Sequence, residues 1–394
     1  MNIKHILYTV RPLSQEEIIR LNNASGYLSE RDASRLNMLV KRKQCKINMK
    51  RAPYSRTITS APEYPVCVLL DEDAREDVFE ISEKIKHGFQ EKLIKTFRTN
   101  AFQKTVELLA PKIIGFSNVK EATALQLFSE EPYHVLLLGD PGTGKTDILR
   151  AIENLSPIAA FGLGSGTSNT GLTVTITGNE IKKGILSLAD GGMAIIDELN
   201  LMKKEDRAGL YNAMEKGFIS YDKGGHRYKF PAKCSVLASA NPKKDTIIGN
   251  DIYSIKKQLP FDPALLSRFH LVFLVRKQGK EEFMDIADEV LLETHKNISK
   301  EDESFMKSYV EGARKINVAF PERFNEHIKD FILKVRSQEK NMLFDITPRF
   351  IIGLKRLMVA SAKCEMRNRV EEKDVERVLK IYMTALKEVG LAKI

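Results

Sequence analysis

The sequence predicts an α/β fold: a parallel-sheet core, a helical lobe after it and a small unit before it. Three observations predict it. An apolar run, 135–138, enters a glycine-rich loop that opens a helix at Lys145 and Thr146. Short apolar strands and helical stretches then alternate as far as Val275. From about Lys277 onward the pattern is helical throughout. Strands alternating with helices are the pattern of a layered parallel sheet.

The stretch 133–146 organises the chain. Val135 to Leu138 are apolar enough for a strand buried on both faces. The loop Gly139, Asp140, Pro141, Gly142, Thr143, Gly144 follows, and Lys145 and Thr146 begin a helix. Glycines let backbone N–H groups turn inward without a Cβ in the way. The helix N-terminus adds partial positive charge where a triphosphate would lie. Lys145 has the reach for β- and γ-phosphates, and the Thr146 hydroxyl suits Mg²⁺. These residues predict a nucleoside-triphosphate site.

Composition bounds the rest. The 394 residues suggest two or three domains, and 43% hydrophobic residues suffice for a sizeable core. No apolar run approaches the ~20 residues of a membrane span. The N-terminal stretch lacks a small-residue cleavage site, so no secretory signal is expected and a reducing cytoplasm, or association with the nucleoid, fits. Cys45, Cys67, Cys234 and Cys364 are far apart in sequence and form no C-x-x-C pair, which indicates neither a zinc knuckle nor a disulfide framework. The net charge is +10. Seven bases and no acid lie between Lys41 and Arg56, either a solvated basic face or a contact to phosphate backbone.

In order, residues 1–95 form a small N-terminal unit. Ser14 caps a helix over 15–22 and Ser29 a second running to about 43, with Gly26 between them. The pair is either a helix-turn-helix or a plain helical hairpin. A proline-containing loop follows, then a strand over 65–70. Seven acids between Asp71 and Glu83 mark a helix start and a boundary. Helices are expected through 85–109 and over 117–128. Residues 96–276 form the α/β core, with strands at 135–138, 157–161, 192–196, 234–238 and 271–275. Residues 171–176 read as a hairpin arm turning near Gly178, and 218–230 as a second hairpin around Lys223. A helix is expected over 203–216. Residues 277–394 form the helical lobe, with helices over 280–293, 303–315, 322–336, 348–367 and 372–389.

The strand 193–196 ends in Asp197 and Glu198, about 50 residues after the phosphate loop. Asp197 there can hold Mg²⁺ and Glu198 can polarise the attacking water. Asn241, ending the next strand, is placed to hydrogen-bond the γ-phosphate or that water. Arg268 precedes the last strand, where it suits an arginine finger acting across a subunit boundary.

Together these blocks, G-D-P-G-T-G-K-T, A-D-G-G-M-A-I-I-D-E-L-N, A-S-A-N-P and L-L-S-R-F, resemble the AAA+ core of the minichromosome maintenance (MCM) family of replicative helicases. The stretches 109–122, 211–225 and 346–357 support the resemblance, which covers about residues 100–388. It implies an AAA+ P-loop NTPase with a C-terminal helical lid, a hexameric homo-oligomeric ring, ATP and Mg²⁺ as cofactors and DNA as partner, with no membrane. Lys145 and Thr146 then match Walker A, and Asp197 and Glu198 match Walker B. Asn241 matches sensor 1, Arg268 the arginine finger, Arg349 sensor 2 and Lys223 the DNA-contacting pore-hairpin lysine. Residues 171–185 match the insert in helix 2. The chain departs from the family pattern at Gly144, Thr146, Leu199, Asn200, His270 and Ile352, and 1–95 is shorter than the N-terminal domain of similar members. A AAA+ protein remodeller or chelatase-like ATPase not acting on DNA, and a non-motor paralogue that only binds nucleotide or partners, are the rival expectations.

Overall fold

The computed structural model describes residues 12–389 except 60, 62, 178–179, 224–225, 244–246, 248–251, 278, 280–283, 285–286, 289–290, 292–297, 340–341 and 344–345, and the side chains of 176–177, 221–223 and 226–227. The helix expected over 280–293 lies largely outside the described residues. The chain divides into two compact units, Met1–Thr99 and Asn100–Ile394.

The first unit opens with helix α1 (Gln15–Ser25), whose N-terminus is a capping box: Ser14 Oγ accepts from the Glu17 amide, and Glu17 caps Ser14 in return. Helix α2 (Glu30–Lys41) is capped by Ser29. Strands β1 (Cys45–Arg51) and β2 (Glu63–Leu69) pair antiparallel, and helix α3 (Arg75–Arg98) follows. Leu21, Ala24, Leu36, Leu39, Val40, Cys45, Ile47, Val78, Ile81 and Ile85 form its core. Two expectations need correction here. Residues 45–51 form a strand, which their three cations concealed; Cys45 and Ile47 point into the core and Lys46 away from it. The helix expected over 85–109 is two, α3 and α4 (Ala101–Leu108), because Asn100 leaves helical geometry at φ −135°.

The second unit is built on a five-stranded parallel sheet. Helix α5 (Ser117–Phe128) leads to β3 (Val135–Gly139), the phosphate loop and helix α6 (Lys145–Leu155). Strand β4 (Ala159–Leu163) is followed by helix α7 (Asn169–Leu172), the hairpin β5 (Val174–Thr177) and β6 (Glu180–Lys183), and helix α8 (Ile185–Leu188). Residues 171–173, expected in a hairpin arm, are instead drawn into α7 and its cap, because Ser168 Oγ accepts from the Gly171 amide at 3.3 Å. Strand β7 (Met193–Asp197) then precedes helix α9 (Ala208–Lys216) and the antiparallel hairpin β8 (Phe218–Lys223) and β9 (His226–Pro231). Strand β10 (Ser235–Ala240), helices α10 (Ile252–Gln258) and α11 (Pro263–Leu266), and strand β11 (Leu271–Val275) complete the core.

The strand order is β11-β3-β10-β7-β4, every pairing parallel. Strands β3, β7, β10 and β11 are buried along their whole length, as a sheet covered on both faces requires. Helix α5 is likewise buried almost all round. Helices α12 (Lys300–Arg314), α13 (Asn325–Ser337), α14 (Pro348–Cys364) and α15 (Glu372–Glu388) lie in the described part of the chain after the core, and they belong to the same compact unit. Helix α15 lies along edge strand β11, whose Leu274 amide donates to Glu388 Oε2 at 3.4 Å. Burial pushes the Glu388 carboxyl up to about 7. The α14–α15 turn is held by Arg367, bidentate to the fully buried Asp374 at 2.6 and 2.8 Å, with the Ser361 hydroxyl donating to the same carboxylate at 2.7 Å. Among the described residues no helix is long and apolar enough to cross a membrane.

Candidate nucleotide site

In parallel sheets the carboxyl ends of neighbouring strands open on one edge, and ligands settle there. Strands β3, β10 and β7 bring the phosphate loop, Asn241 and the Asp197–Glu198 pair to that edge as neighbours. Gly142 and Gly144 hold φ of +75° and +77°, which an L side chain adopts only with strain, so the loop's curl requires glycine at both.

Lys145 is buried and its ammonium bends back onto the loop: Nζ donates to the Gly139 carbonyl at 2.9 Å and to the Asp140 carbonyl, with the Thr143 hydroxyl at 3.4 Å. Burial lowers its pKa to about 8, against the pull of Asp140 and Asp197. It remains mostly charged at neutral pH and is desolvated, as a cation awaiting an anion would be. Thr146 Oγ1 donates to Asp197 Oδ2 at 2.8 Å, joining two motifs 51 residues apart. A hydroxyl and a carboxylate on one spot are the hard-oxygen donors that Mg²⁺ takes alongside phosphate and water, so the residues fit that ion.

Glu198 lies one residue beyond β7 at φ 53°, ψ 44°, a left-handed conformation that costs a non-glycine residue about 1–2 kcal/mol. Its amide holds it there, donating to Asp197 Oδ1 at 3.1 Å and to Ser239 Oγ at 2.9 Å. Ser239 is buried and donates in turn to Asp197 Oδ1. Sequence reasoning did not single out Ser239. Its signal was a hydroxyl near the carboxyl end of a strand in which Val236, Leu237 and Ala238 precede it. Asn200 was missed too; its Oδ1 accepts from the Asn241 amide at 2.9 Å and ties the half-buried Asn241 to the turn after β7.

Asp140, expected among the nucleotide contacts, has its carboxylate engaged by the fold. Oδ1 accepts from the Ile247 amide at 2.7 Å and Oδ2 from the Lys277 amide at 2.9 Å, so it staples the loop to the segments after β10 and β11. Asp140→Ala leaves both amides without that acceptor and should cost about 2–4 kcal/mol of stability, with Asp140→Asn, which keeps one acceptor, losing about half as much. Urea denaturation measures both. A loss under about 1 kcal/mol for the alanine variant would refute the staple.

Arg268 and Arg349 lie elsewhere. Arg268 precedes β11 at the sheet's amino edge, one strand length, roughly 15 Å, from the phosphate loop of the same chain. Its guanidinium donates to Glu215 Oε2 at 2.8 Å and to the Ala264 carbonyl at 2.6 Å, and sits over the Tyr211 ring at 4.7 Å. Arg268 Nε is buried with no hydrogen-bond partner among the described residues. Arg349, at the start of α14, donates to the Ser267 carbonyl at 3.0 Å, and burial and the nearby Arg268 lower its pKa. The two arginines therefore share one corner, remote from their own phosphate loop. Lys223 ends β8 in register with His226, placing it beside the tip of that hairpin; its side chain lies outside the described residues.

The model of the MCM P-loop domain matches residues 90–295, and that of the MCM AAA-lid domain matches 304–386. The chain belongs to the MCM family. Its sheet and lid are those of an α/β P-loop AAA+ fold. Among MCM relatives, the minichromosome maintenance protein MCM of Saccharolobus solfataricus is 33% identical over 310 residues, 73% of this chain and 45% of that protein. The DNA replication licensing factor mcm5-A of Xenopus laevis is 27% identical over 332 residues, 75% and 44% of the two chains. The licensing factor mcm7-B of the same frog is 28% identical over 320 residues, 74% and 44%. The aligned part of this MCM chain thus spans less than half the length of these relatives.

Proposed function

We propose that this MCM chain is a Mg²⁺-dependent ATP hydrolase that moves along DNA as an oligomeric ring, hexameric as the family resemblance implies. The Thr146–Asp197 hydrogen bond carries the reading, because it joins the phosphate loop to the carboxylate strand at one point. Gly139 to Gly144 would wrap the phosphates with backbone amides, and Lys145 would leave its loop carbonyls to pair with the β- and γ-phosphates. Thr146 and Asp197 would hold Mg²⁺, which supplies charge neutralisation for the transferring phosphoryl group. Glu198 takes the proton of the attacking water and Asn241 orients that water. A neighbouring subunit provides Arg268 and Arg349; their distance from the chain's own phosphate loop supports action in trans. Lys223 would contact the DNA backbone from the β8–β9 hairpin, a sequence-tolerant contact that weakens steeply with salt. The names of the relatives, replication licensing factors and MCM proteins, point the same way.

Steady-state ATPase with and without single-stranded DNA, on wild type and Arg268→Ala over a range of protein concentration, tests this. Stimulation by DNA, loss of rate on dilution and a fall of about 10³-fold or more in the arginine variant are expected. Hydrolysis indifferent to DNA but stimulated by protein would replace the DNA motor with a protein remodeller. Hydrolysis unaffected by Arg268→Ala would refute the subunit-interface site.

A further inference from the structure

The first unit carries features the motor does not use. Helices α1 and α2 are joined by four residues, Gly26–Ser29, and the turn is closed by backbone bonds from Gly26 to Asn22, Tyr27 to Ala24 and Leu28 to Ser25. Leu21 and Ala24 of α1 share a core with Leu36, Leu39 and Val40 of α2. The antiparallel hairpin β1–β2 follows directly, with Cys45 and Ile47 entering the same core. Two short helices joined by a tight glycine-containing turn are the arrangement that presents a second helix to a DNA groove.

Charge separates the motif from the alternative of a plain hairpin. The acids of this unit that face α2 are already matched: Asp77 and Glu80 by Arg35, and Asp32 and Glu80 by Lys84. Apart from Arg35, most cations of α2 and the hairpin are not. Arg31, Arg42, Lys43, Lys46, Lys50, Arg51 and Arg56 are exposed and make no ion pair among the described residues. On α2 and its C-cap, Arg31, Ser34, Met38 and Arg42 recur at intervals of three or four residues, so they form one exposed stripe opposite the buried Leu36, Leu39 and Val40. Glu30, at the helix start, is an acid beside that stripe.

We infer that residues 14–69 are a duplex-DNA-reading module, with α2 in the major groove and the basic β1–β2 hairpin on the flanking phosphates. Arg31 and Ser34 supply base-edge hydrogen bonds and Met38 an apolar contact for a thymine methyl. Lys46 and Lys50, four residues apart and so on the same outward face of β1, contact phosphate. B-form DNA is the fitting partner, because its major groove admits a helix whereas that of A-form RNA is too deep and narrow. This site is separate from the nucleotide site and stands whether or not the chain hydrolyses ATP.

The test uses the full chain without nucleotide. Selection from a random duplex library should enrich a sequence, and fluorescence anisotropy should then rank the variants. Arg31→Ala should lose about 5- to 150-fold on the selected sequence and little on a scrambled one. The double variant Lys46→Glu/Lys50→Glu should weaken both duplexes more than about tenfold and flatten the salt slope by about two ions. Both should retain wild-type circular dichroism and DNA-independent ATPase, since the side chains are exposed. The module is refuted if no sequence is enriched, if polyglutamate competes as well as duplex, or if Lys223→Ala abolishes duplex binding while these variants bind normally.

Discussion

Glu198→Gln is expected to lower kcat for ATP by about 10²–10⁴, the contribution of a positioned general base, while leaving nucleotide affinity within a few-fold of wild type. The substitution is close to isosteric and keeps the backbone where it is. The Glu198 amide still donates to Asp197 Oδ1 and Ser239 Oγ, and these bonds, not the carboxylate, hold the residue in its left-handed conformation. In the proposed site, phosphate and metal contacts would fall to other residues: the loop amides, Lys145, Thr146 and Asp197. The loss should therefore fall on the chemical step, visible as a lower single-turnover rate at saturating ATP with an unchanged Kd for a fluorescent nucleotide. If Glu198→Gln keeps more than a tenth of wild-type kcat, the base lies elsewhere. If instead Kd rises in parallel with the loss of rate, Glu198 is a binding residue and the division of labour with Asp197 is wrong.

The strands that carry these residues were legible in the sequence because they are short continuous apolar runs that end abruptly in polar residues. Strands β3, β7 and β11 were recognisable for this reason, and the parallel order then brought their ends together. What was not legible arose from partners distant in sequence or from charge masking pattern. Ser239 acquires its role from Asp197, 42 residues earlier, across a strand pairing that no local pattern displays. Arg268 is paired with Glu215, 53 residues away, a partner that no local pattern displays. A neighbouring site that recruits Arg268 must therefore compete with a half-exposed carboxylate, a modest penalty of ~1 kcal/mol or less. Strand β1 was hidden by Lys46, Lys50 and Arg51, although its inward residues, Cys45 and Ile47, alternate as a strand should. The break between α3 and α4 carries neither glycine nor proline at Thr99–Asn100, so the apolar pattern continues across a boundary that only the backbone of Asn100 makes.

Acidification is expected to destabilise the second unit, through a pair of histidines that sequence reasoning passed over except as a departure at position 270. His134 and His270 are both buried and tied to the backbone through Nδ1: the Val236 amide donates to His134 at 3.1 Å and the His134 amide donates to His270 at 2.9 Å. Each Nδ1 is thus an acceptor, and the neutral ring carries its proton on Nε2. Tyr133 stacks on His270 at 4.9 Å, and Arg349 and Arg356 add positive charge to both surroundings. Burial, then these charges, lowers His134 to about 3 and His270 well below its usual value.

The sign follows from linkage. The unfolded histidines bind protons below pH ~6.5 more readily than the folded ones, so stability present at pH 7 is lost as pH falls, by about 2 kcal/mol at pH 5 for His134 and in the same direction for His270. Glu388 acts in the opposite direction. Its folded pKa of about 7 exceeds the unfolded value, so it takes up a proton on folding over the same window and returns about 2 kcal/mol. Wild type should therefore lose stability between pH 7 and 5, Glu388→Gln should lose about 2 kcal/mol more than wild type, and His270→Asn, whose amide oxygen can replace Nδ1 as acceptor, should lose less than wild type. Urea denaturation at the two pH values measures all three. Comparing each variant with itself at the two pH values cancels any cavity that the His270→Asn substitution leaves, since a cavity costs the same at both. Equal pH dependence in wild type and His270→Asn would mean that His270 titrates normally in the fold. An unchanged loss in Glu388→Gln would mean that the carboxyl beside the edge of β11 is ionised at neutral pH, and that the Leu274 amide donates to a carboxylate there.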